Sequence, residues 1–372
     1  MLEQQIELVH TPNYHQIQQY FLQELILASQ NKPSSLSFIQ HQIPSKPLIT
    51  QGIVQGIVIG GTNYILSTEE VQSNGSRKIL TRKNGILPIF DTKETFIDFF
   101  VEHFDGRADA IGINFGFQLT PTMTTDGTLD GFIQAKGTKE HTFKGITESV
   151  GSLVKSIFKE KYYKNITLSV ANDTICLLLA GKGTEIGSLI VGTGFNIGLL
   201  QKKHNQTTLI NLEAGEFDKF EPSSILKKID KQTKNPGYKL FEKTVSGKYL
   251  ARYFNETTKE LNLSISPITT SQELSELSRD DHTDVAGNLA RAIITRSAFL
   301  VSATIAALYE FCNKPNHFVI IGAGSLLWNG WHYTDNIKKQ LKLLEVETVR
   351  IEDIHDSSIN GAIGLITYDN KK

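Results

Sequence analysis

The sequence has few cysteines and almost no net charge. Cys176 and Cys312 are the only two among 372 residues, which excludes a disulfide framework and favours a reducing compartment. A formal net charge of −1 gives no electrostatic reason to expect nucleic acid or an anionic membrane as a partner. The first residues lack the regions of a signal peptide, and the most apolar stretch, 285–310, is interrupted by Arg291 and Arg296. We therefore expect a cytoplasmic protein with no membrane span, in which 285–310 is a buried core helix.

Several nucleotide and metal motifs are absent from the sequence. No Gly-x4-Gly-Lys-Ser/Thr P-loop occurs, and "GTGFNIG" has the wrong spacing for a dinucleotide fingerprint. The ten histidines form no HExxH or other ligand-spaced pair. The sequence therefore predicts no metal held directly by protein side chains.

The order of apolar stretches and turns predicts a duplicated α/β architecture. A hydrophobic content of 40% and a charged content of 21% are typical of a globular protein, and the length suits two lobes. "GIVQGIVI", "NYILST" and "RKILTRK" are predicted to be three strands, and a similar three-strand unit begins at "IGSLIVGTG". "GGTN" at 60–63 and "GTG" at 192–194 open the two units. Two facing lobes, each with one phosphate-binding turn at a central cleft, follow from this repeat.

The predicted boundaries place an N-terminal helix and connector at 1–49, packed on the large lobe. The small lobe covers 50–171 together with a C-terminal helix at about 357–372, and the large lobe covers 172–356. Within the small lobe, Asp91 is predicted to be the N-cap of a helix, with Glu94 three residues on.

"SVANDTICLLLAG" supplies the candidate general base for transfer of a phosphoryl group to an alcohol. Asp173 follows a predicted buried strand, at the end where α/β sheets place ligand-binding residues. Its neighbour Asn172 can donate and accept hydrogen bonds to a sugar hydroxyl. The alternative is that Asn172 and Asp173 only cap the following helix.

Further polar residues suit a polyhydroxylated ligand. Glu213 follows a predicted strand, Glu242 lies in the otherwise apolar "FEKTVSG", and Asn196 follows the second Gly-Thr turn. Carboxylates accept hydrogen bonds from sugar hydroxyls, whereas amides both donate and accept them.

"VANDT", "LIVGTGFN", "NPGYKLFEKTVSGKYL" and "ITRSAFLVSATIAAL" resemble the hexokinase family in sequence and in order. The resemblance runs from about residue 50 to the C-terminus and is strongest at "FEKTVSG" after "NPG". It implies a duplicated actin-like ATPase (ribonuclease H-like) fold. It also implies ATP-dependent phosphorylation of the 6-hydroxyl of a hexose, with glucose the expected substrate and Mg²⁺ held mainly through phosphates and water.

The resemblance also assigns roles to individual positions. The implied base is Asp173, and the implied sugar ligands are Lys136, Asn172, Asn196, Glu213 and Glu242. The implied nucleotide-binding residues are Gly60, Gly61, Thr62 and Asn63, Gly192, Thr193 and Gly194, and Gly322, Gly324 and Ser325.

The sequence departs from the family pattern on both the nucleotide side and the sugar side. The replaced positions are Val58 for an acid that orients hydrated magnesium, Gly116 for a serine, Ala135 for a threonine, Ala214 for a tryptophan, Ala323 for an acid, and "DSSING" for a Gly- and Lys-containing run. Loss of a metal-orienting outer-shell group costs about 10–100-fold. Two hypotheses therefore remain, a slow sugar kinase and a catalytically impaired or inactive sugar-binding regulator. The preferred hexose, another phosphoryl donor and the oligomeric state stay open.

Overall fold

Strands and helices alternate along the chain, as the sequence predicts. The computed structural model describes residues 13–43, 46–122, 124–134, 141–181, 186–203, 206–279, 281 and 283–368. The strands are β1 (Ile39–Gln42), β2 (Gly52–Ile59), β3 (Asn63–Val71), β4 (Arg77–Ile86), β5 (Ala110–Phe115), β6 (Leu119–Thr122), β7 (Asp130–Ile133), β8 (Thr167–Asn172), β9 (Gly187–Val191), β10 (Phe195–Lys203), β11 (Gln206–Asn211), β12 (Phe318–Ala323) and β13 (Val349–Asp353). The helices are α1 (Tyr14–Ser29), α2 (Lys93–His103), α3 (Val150–Tyr162), α4 (Asp173–Leu179), α5 (Ser224–Lys231), α6 (Leu240–Val245), α7 (Gly247–Glu260), α8 (Ser271–Leu277), α9 (Val285–Phe311), α10 (Ser325–Asn329), α11 (Tyr333–Leu343) and α12 (Ser357–Thr367), with a 3-10 turn at Ala214–Glu216.

The described residues belong to two compact units. The first unit is drawn from Met1–Phe38, Leu189–Ile197 and Leu212–Glu352, and the second from Ile39–Ser188, Gly198–Asn211 and Asp353–Lys372. The chain therefore enters each unit more than once. Residues 172–188 and 198–211, which the predicted boundaries assign to the large lobe, belong to the second unit.

The second unit contains a five-stranded sheet with the order β4–β3–β2–β5–β8. Strand β3 is antiparallel to β2 and β4, whereas β5 is parallel to β2 and β8. In the parallel part, Phe115 is the register partner of both Ile59 and Asn172. The carboxyl ends of these three strands therefore finish at one level, which is the edge where open α/β sheets bind ligands.

Helix α12 covers one face of this sheet because glycines in the strands let it approach closely. A Cβ atom on Gly112 would lie 1.8 Å from the carbonyl oxygen of Ala362, and one on Gly56 would lie 2.9 Å from Ile359 Cδ1. The apolar cluster formed here consists of Val54, Val58, Val71, Ala110, Ile359, Ala362, Ile363 and Ile366. The predicted C-terminal helix begins at Ser357, as expected, and ends at Thr367.

A second sheet has the order β1–β11–β10–β9–β12–β13, and the division between the units passes through β9 and β10. Strand β1 lies in the segment that the sequence predicts to be a connector. It pairs antiparallel with β11, with His41 opposite Leu209. The sequence did not predict this strand, because β1 owes its structure to backbone pairing with a distant strand, which its polar sequence does not reveal.

Helix α9 is the apolar stretch that the sequence predicts to be a core helix. Among the described helices it is the one long and apolar enough to cross a membrane, and 78% of its most apolar window is buried inside the protein. Its Arg296 is 6% exposed, with the guanidinium 4.1 Å from the Tyr253 ring centroid and a donated hydrogen bond of 3.3 Å to the carbonyl oxygen of Thr244. The two terminal nitrogens of the arginine therefore have partners within the protein core, whereas its Nε has none among the described residues.

Helix α2 begins one residue later than predicted. Thr92 is its N-cap, because Thr92 Oγ1 accepts from the Thr95 backbone N–H and Thr95 Oγ1 accepts from the Thr92 backbone N–H, each at 3.3 Å. The prediction that Asp91 caps this helix was therefore wrong. The carbonyl oxygen of Asp91 instead accepts from Thr142 Oγ1 at 2.6 Å.

Candidate active site

The candidate sugar ligands of the first unit converge around Gly215. Asn196, near the start of β10, accepts a hydrogen bond from the Ala214 N–H on its Oδ1 at 3.0 Å. Glu242 of α6 accepts from the Phe195 N–H on its Oε2 at 3.2 Å. A Cβ atom on Gly215 would lie 2.9 Å from Glu242 Cβ, so only glycine lets the helix approach the turn this closely.

Glu213 precedes this turn and forms a buried ion pair with Lys239. The Lys239 ammonium donates to Glu213 Oε2 at 2.9 Å, and the two side chains are 17% and 3% exposed. Burial alone would lower the pKa of Lys239, but the carboxylates of Glu213 and Glu242 outweigh it and raise that pKa above its ordinary value. Lys239 is therefore charged at neutral pH, within a cluster that the sequence predicts to bind sugar.

The sequence did not single out Lys239, although it lies within "NPGYKLFEKTVSG". Its only local signal is its position three residues before Glu242. The ion pair joins residues 26 positions apart, so it becomes visible only after the turn at 213–216 packs against the start of α6.

The second unit places the candidate base at the carboxyl edge of its parallel strands. Asn172 ends β8 and Asp173 begins α4. Asn172 Oδ1 accepts from the Thr174 N–H at 3.1 Å and from Thr174 Oγ1 at 2.7 Å. Asn172, which is 5% exposed, is therefore the N-cap of α4, a contact that both interpretations of this residue allow. Asp173 is half-buried, and its Oδ1 accepts from the Thr174 N–H at 2.9 Å.

The turn at Gly60–Asn63 lies at the same edge. The Gly60 N–H donates to the carbonyl oxygen of Asn63 at 2.9 Å and closes the connection from β2 to β3, as predicted. Gly116, which follows β5, donates its N–H to the carbonyl oxygen of Ile59 at 2.7 Å. A Cβ atom on Gly116 would lie 2.9 Å from that oxygen, so this position favours glycine for steric reasons.

Val58 lies in the apolar cluster under α12 and is 8% exposed. Its register partner on β5 is Asn114, which is 3% exposed. Asn114 Nδ2 donates to the carbonyl oxygen of Ser358 at 3.1 Å, whereas its Oδ1 has no hydrogen-bond partner among the residues that the structure describes. An amide oxygen therefore lies beside the position where the sequence resemblance implies an acid.

The nucleotide-side glycines of the first unit pack backbone against backbone. A Cβ atom on Gly192 would lie 3.3 Å from Gly324 Cα. Gly324 has φ 114°, and a Cβ atom there would lie 2.3 Å from the carbonyl oxygen of Val191. Two of the three Gly/Ser segments predicted to bind nucleotide, 192–194 and 322–325, are thus brought together.

A cavity of about 550 Å³ adjoins Ser325 in the same unit. It is lined by Ser271, Gln272, Ser275, Glu276, Arg279, Ser325, Leu326, Asn329, Gly330 and Trp331. The indole nitrogen of Trp331 is buried without a hydrogen-bond partner in the described part of the chain. A flat apolar ring beside hydroxyl, carboxylate and guanidinium groups suits a heterocycle with polar edges.

Lys136 and its neighbour Ala135 lie outside the described residues. No group of three or more His, Cys, Asp or Glu residues that could hold a metal ion occurs in the described ranges. Val58 lies in an apolar cluster and offers no ligand atom to a metal ion. The described residues therefore suit a magnesium ion held by nucleotide phosphates and water. Asn114 Oδ1 is the polar atom closest in register to Val58.

Comparison with known proteins finds similarity to hexokinases. A family profile described as hexokinase matches residues 186–262 and 254–367. Hexokinase-1 of Schizosaccharomyces pombe is 27% identical over 290 residues, covering 67% of this chain and 57% of that protein. Hexokinase-like 1 protein of Arabidopsis thaliana is 26% identical over 235 residues, covering 54% of this chain and 46% of that protein. The chain spans about half the length of the curated relatives that it matches.

Solved structures share the fold. A hexokinase from Schistosoma mansoni complexed with glucose superposes with a TM-score of 0.78 at 19% identity, covering 98% of this chain and 99% of that chain. A ROK family glucokinase from Streptomyces griseus, in complex with glucose and AMPPNP, gives a TM-score of 0.55 at 18% identity, covering 85% and 99%. The predicted fold class, a duplicated actin-like ATPase fold with two lobes, is confirmed.

Proposed function

We propose that the chain is a sugar kinase of the hexokinase type, which the profile match over residues 186–367 and the similarity to hexokinases support. The proposed reaction transfers the γ-phosphoryl group of ATP to the 6-hydroxyl of a hexose, with glucose as the expected substrate. Cytoplasmic localisation is part of the same proposal.

One observation supports the proposal most strongly. The turn at Gly60–Asn63 and the carboxylate of Asp173 both follow parallel strands whose last residues, Ile59 and Asn172, share the register partner Phe115. Neighbouring strands lie about 4.8 Å apart, so the turn and the carboxylate are two strand spacings from each other along one sheet edge. This brings backbone N–H groups and a base to the same side of the second unit, as phosphoryl transfer requires.

Asp173 is proposed as the general base. Its carboxylate accepts the proton of the sugar hydroxyl while that oxygen forms a bond to the γ-phosphorus and the bond from this phosphorus to the bridging oxygen of ADP breaks. The hydrogen bond from the Thr174 N–H to Asp173 Oδ1, 2.9 Å long, fixes the orientation of the carboxylate. Its half-buried position leaves it accessible to a substrate.

Sugar binding is proposed for the cluster around Gly215. Asn196, Glu213 and Glu242 are anchored by contacts within the first unit, which orients their oxygens before a ligand arrives. Such preorganisation lowers the entropy cost of binding. The cavity beside Ser325 is proposed for the nucleoside of ATP. Magnesium bound to the nucleotide phosphates would offset their charge during transfer.

The regulator hypothesis rests on the environment of Val58. An apolar side chain among Val54, Ile359 and Ile363 cannot orient hydrated magnesium, whereas the sugar-side cluster does not depend on it. A protein that binds hexose without phosphorylating it would retain the cluster around Gly215 and tolerate Val58.

An assay for ADP release with ATP, magnesium and a panel of hexoses tests the proposal. We expect hexose-dependent turnover in the unaltered protein and a loss of at least about 100-fold in Asp173→Ala, since general-base catalysis contributes about 10²–10⁴-fold. Asp335→Ala is a control for carboxylate loss elsewhere, because the Asp335 side chain is 68% exposed on α11. Absence of turnover together with a hexose-induced rise in melting temperature would contradict the kinase and support the regulator.

A further inference from the structure

Strand β4 is an outer strand of the five-stranded sheet in the second unit. It is ten residues long, and β3 is its one hydrogen-bonded neighbour among the described strands. Every residue of Arg77–Ile86 is exposed or half-buried. An outer strand carries a row of backbone N–H and C=O groups that point away from the sheet and can pair with another strand. In the described part of the chain, nothing pairs with this side of β4.

One face of β4 is turned toward α12 and exposes apolar side chains. Arg77 donates to a side chain of α12 at 2.5 Å, and Arg82 donates to the residue just before α12 at 2.6 Å. Because successive side chains of a strand alternate between its faces, Ile79 lies on the same face as Arg77, and Ile86 on the same face as Arg82. Ile79 is 53% exposed and Ile86 is 82% exposed.

The opposite face of β4 carries two lysines. Lys83 Nζ lies 3.4 Å from His103 Nε2 of α2, on the other side of the sheet from α12. Lys78 directly follows Arg77, so alternation places it on the same face as Lys83. The Lys83 side chain is 57% exposed, and its Nζ is 3.8 Å from the nearest carboxylate oxygen of Glu102. The ammonium is therefore accessible to a further carboxylate.

The charge of the strand has one sign. Its residues include no Asp or Glu and four cations, which are Arg77, Lys78, Arg82 and Lys83. Acidic residues nearby belong to β3, to α2 and to the segment before α12, and they are Glu69, Glu70, Glu102 and Asp356. A segment that approaches the outer side of β4 would therefore meet the cations first, since the acids lie on neighbouring elements.

Cations on an outer strand also protect a protein against pairing with copies of itself. That protection accounts for the lysines and arginines, but not for two exposed isoleucines on the same strand. Together the cations and the isoleucines suit an extended segment that has acidic side chains on one face and apolar side chains on the other. A second copy of this chain suits the strand less well, because its own β4 would bring four more cations to the same edge.

We propose that the outer side of β4 binds an extended acidic segment of a partner protein, which adds a strand to the sheet. Main-chain hydrogen bonds hold the added strand, its carboxylates face Lys78 and Lys83, and its apolar side chains cover Ile79 and Ile86. In the sheet order, β4 and β8 are at opposite ends, and Asp173 follows β8. Binding at β4 therefore requires neither sugar nor nucleotide, and it holds or fails independently of the proposed function.

Fluorescence anisotropy of labelled decapeptides with the full chain tests the proposal. The probe alternates Glu and Val. One control alternates Glu and Pro, which keeps the charge but removes half of the backbone N–H donors, and a second control alternates Lys and Val. We expect the Glu-Val peptide to bind at least about tenfold more tightly than either control, because strand pairing and charge both contribute. We also expect it to slow hydrogen exchange of the backbone amides within residues 77–86.

Two double variants place the binding on the strand. Lys78→Glu with Lys83→Glu should raise the Kd of the Glu-Val peptide by about tenfold or more, because two attractions become repulsions. Lys338→Glu with Lys342→Glu makes the same change of charge at exposed positions of α11 and should leave that Kd unchanged.

Three results would overturn the proposal. Equal binding of the Glu-Val and Glu-Pro peptides would mean that charge alone attracts them, and this comparison needs no variant to fold. An unchanged Kd in the variant of Lys78 and Lys83 would place the peptide elsewhere. A dimer of the unaltered protein in sedimentation, with slowed exchange at 77–86, would make a second copy the occupant of the strand.

Discussion

Gly192 and Gly324 meet backbone to backbone in the first unit, with 3.3 Å between the position of a Cβ atom on Gly192 and Gly324 Cα. The contact joins the turn after β9 to the end of β12, two segments that are 132 residues apart in sequence. Gly324 has no room for a side chain, and a Cβ atom on Gly192 would make a tight contact. The predicted nucleotide-binding turn therefore depends on glycine most strongly at Gly324.

Gly324→Ala should destabilise the first unit by about 3 kcal/mol or more. The added Cβ atom would lie 2.3 Å from the Val191 carbonyl oxygen, and φ 114° is a conformation that only glycine adopts readily. Thermal unfolding with and without ATP measures the effect, and we expect any ATP-induced rise in melting temperature to be lost as well.

Gly237→Ala is the control for Gly324→Ala. It has φ 80° but nothing within 4 Å of an added Cβ atom, so it incurs backbone strain of about 1–2 kcal/mol without a clash. Equal destabilisation by the two variants would show that the close contact with Val191 contributes nothing to the loss of stability in Gly324→Ala.

Val58→Asp should raise turnover by about 10–100-fold at saturating magnesium and lower the melting temperature by a few degrees. The gain is expected because a carboxylate would supply the outer-shell group that orients hydrated magnesium. The loss is expected because the carboxylate would enter an apolar cluster with Val54 and Ile363. Initial rates over a magnesium titration measure the first effect and calorimetry the second.

Val58→Asn is matched in size to Val58→Asp but is neutral. A rate increase in both variants would indicate that polarity rather than charge matters. A folded Val58→Asp protein with an unchanged rate would mean that magnesium is oriented by another group, for which Asn114 is the candidate.

Acid should destabilise the protein through His41. Burial in β1 lowers the pKa of His41 to about 4, below its ordinary value of 6.5. Between these values the unfolded chain binds more protons than the folded one, so the free energy of unfolding rises with pH and falls as the pH drops from 6.5 to 4. The loss amounts to about 3 kcal/mol.

Melting temperatures of His41→Gln across this pH range check the prediction. The variant should show a weaker dependence than the unaltered protein, whereas His15→Gln, at an exposed position of α1, should not differ from it. Parallel pH curves for all three proteins would exclude His41 as the source.

Features defined by local sequence were predictable. The turn at 60–63 follows from two glycines between apolar strands, and α9 follows from a long apolar stretch. The placement of Asp173 at a strand end follows from the apolar residues that precede it. In each case nearby residues determine the structure, so a single sequence carries the signal.

Features defined by distant contacts were not predictable. Strand β1 exists because it pairs with β11, and Lys239 matters because Glu213 lies 2.9 Å away. Two structural facts identify Asn114. It is the register partner of Val58, and its Oδ1 has no hydrogen-bond partner among the described residues. The N-cap of α2 is Thr92 and not Asp91 because Thr92 and Thr95 exchange hydrogen bonds. The sequence offers a capping residue at both positions and does not show which of them caps the helix.

The packing of α12 on the five-stranded sheet also has a consequence during protein synthesis. Asn114 on β5 bonds to Ser358, which is synthesised 244 residues later. At roughly 5–20 residues per second, the ribosome needs about 12–50 s to make this interval. During that time the face of the sheet around Gly112 and Val54 has no covering helix, so the nascent chain exposes an apolar surface that a chaperone could bind.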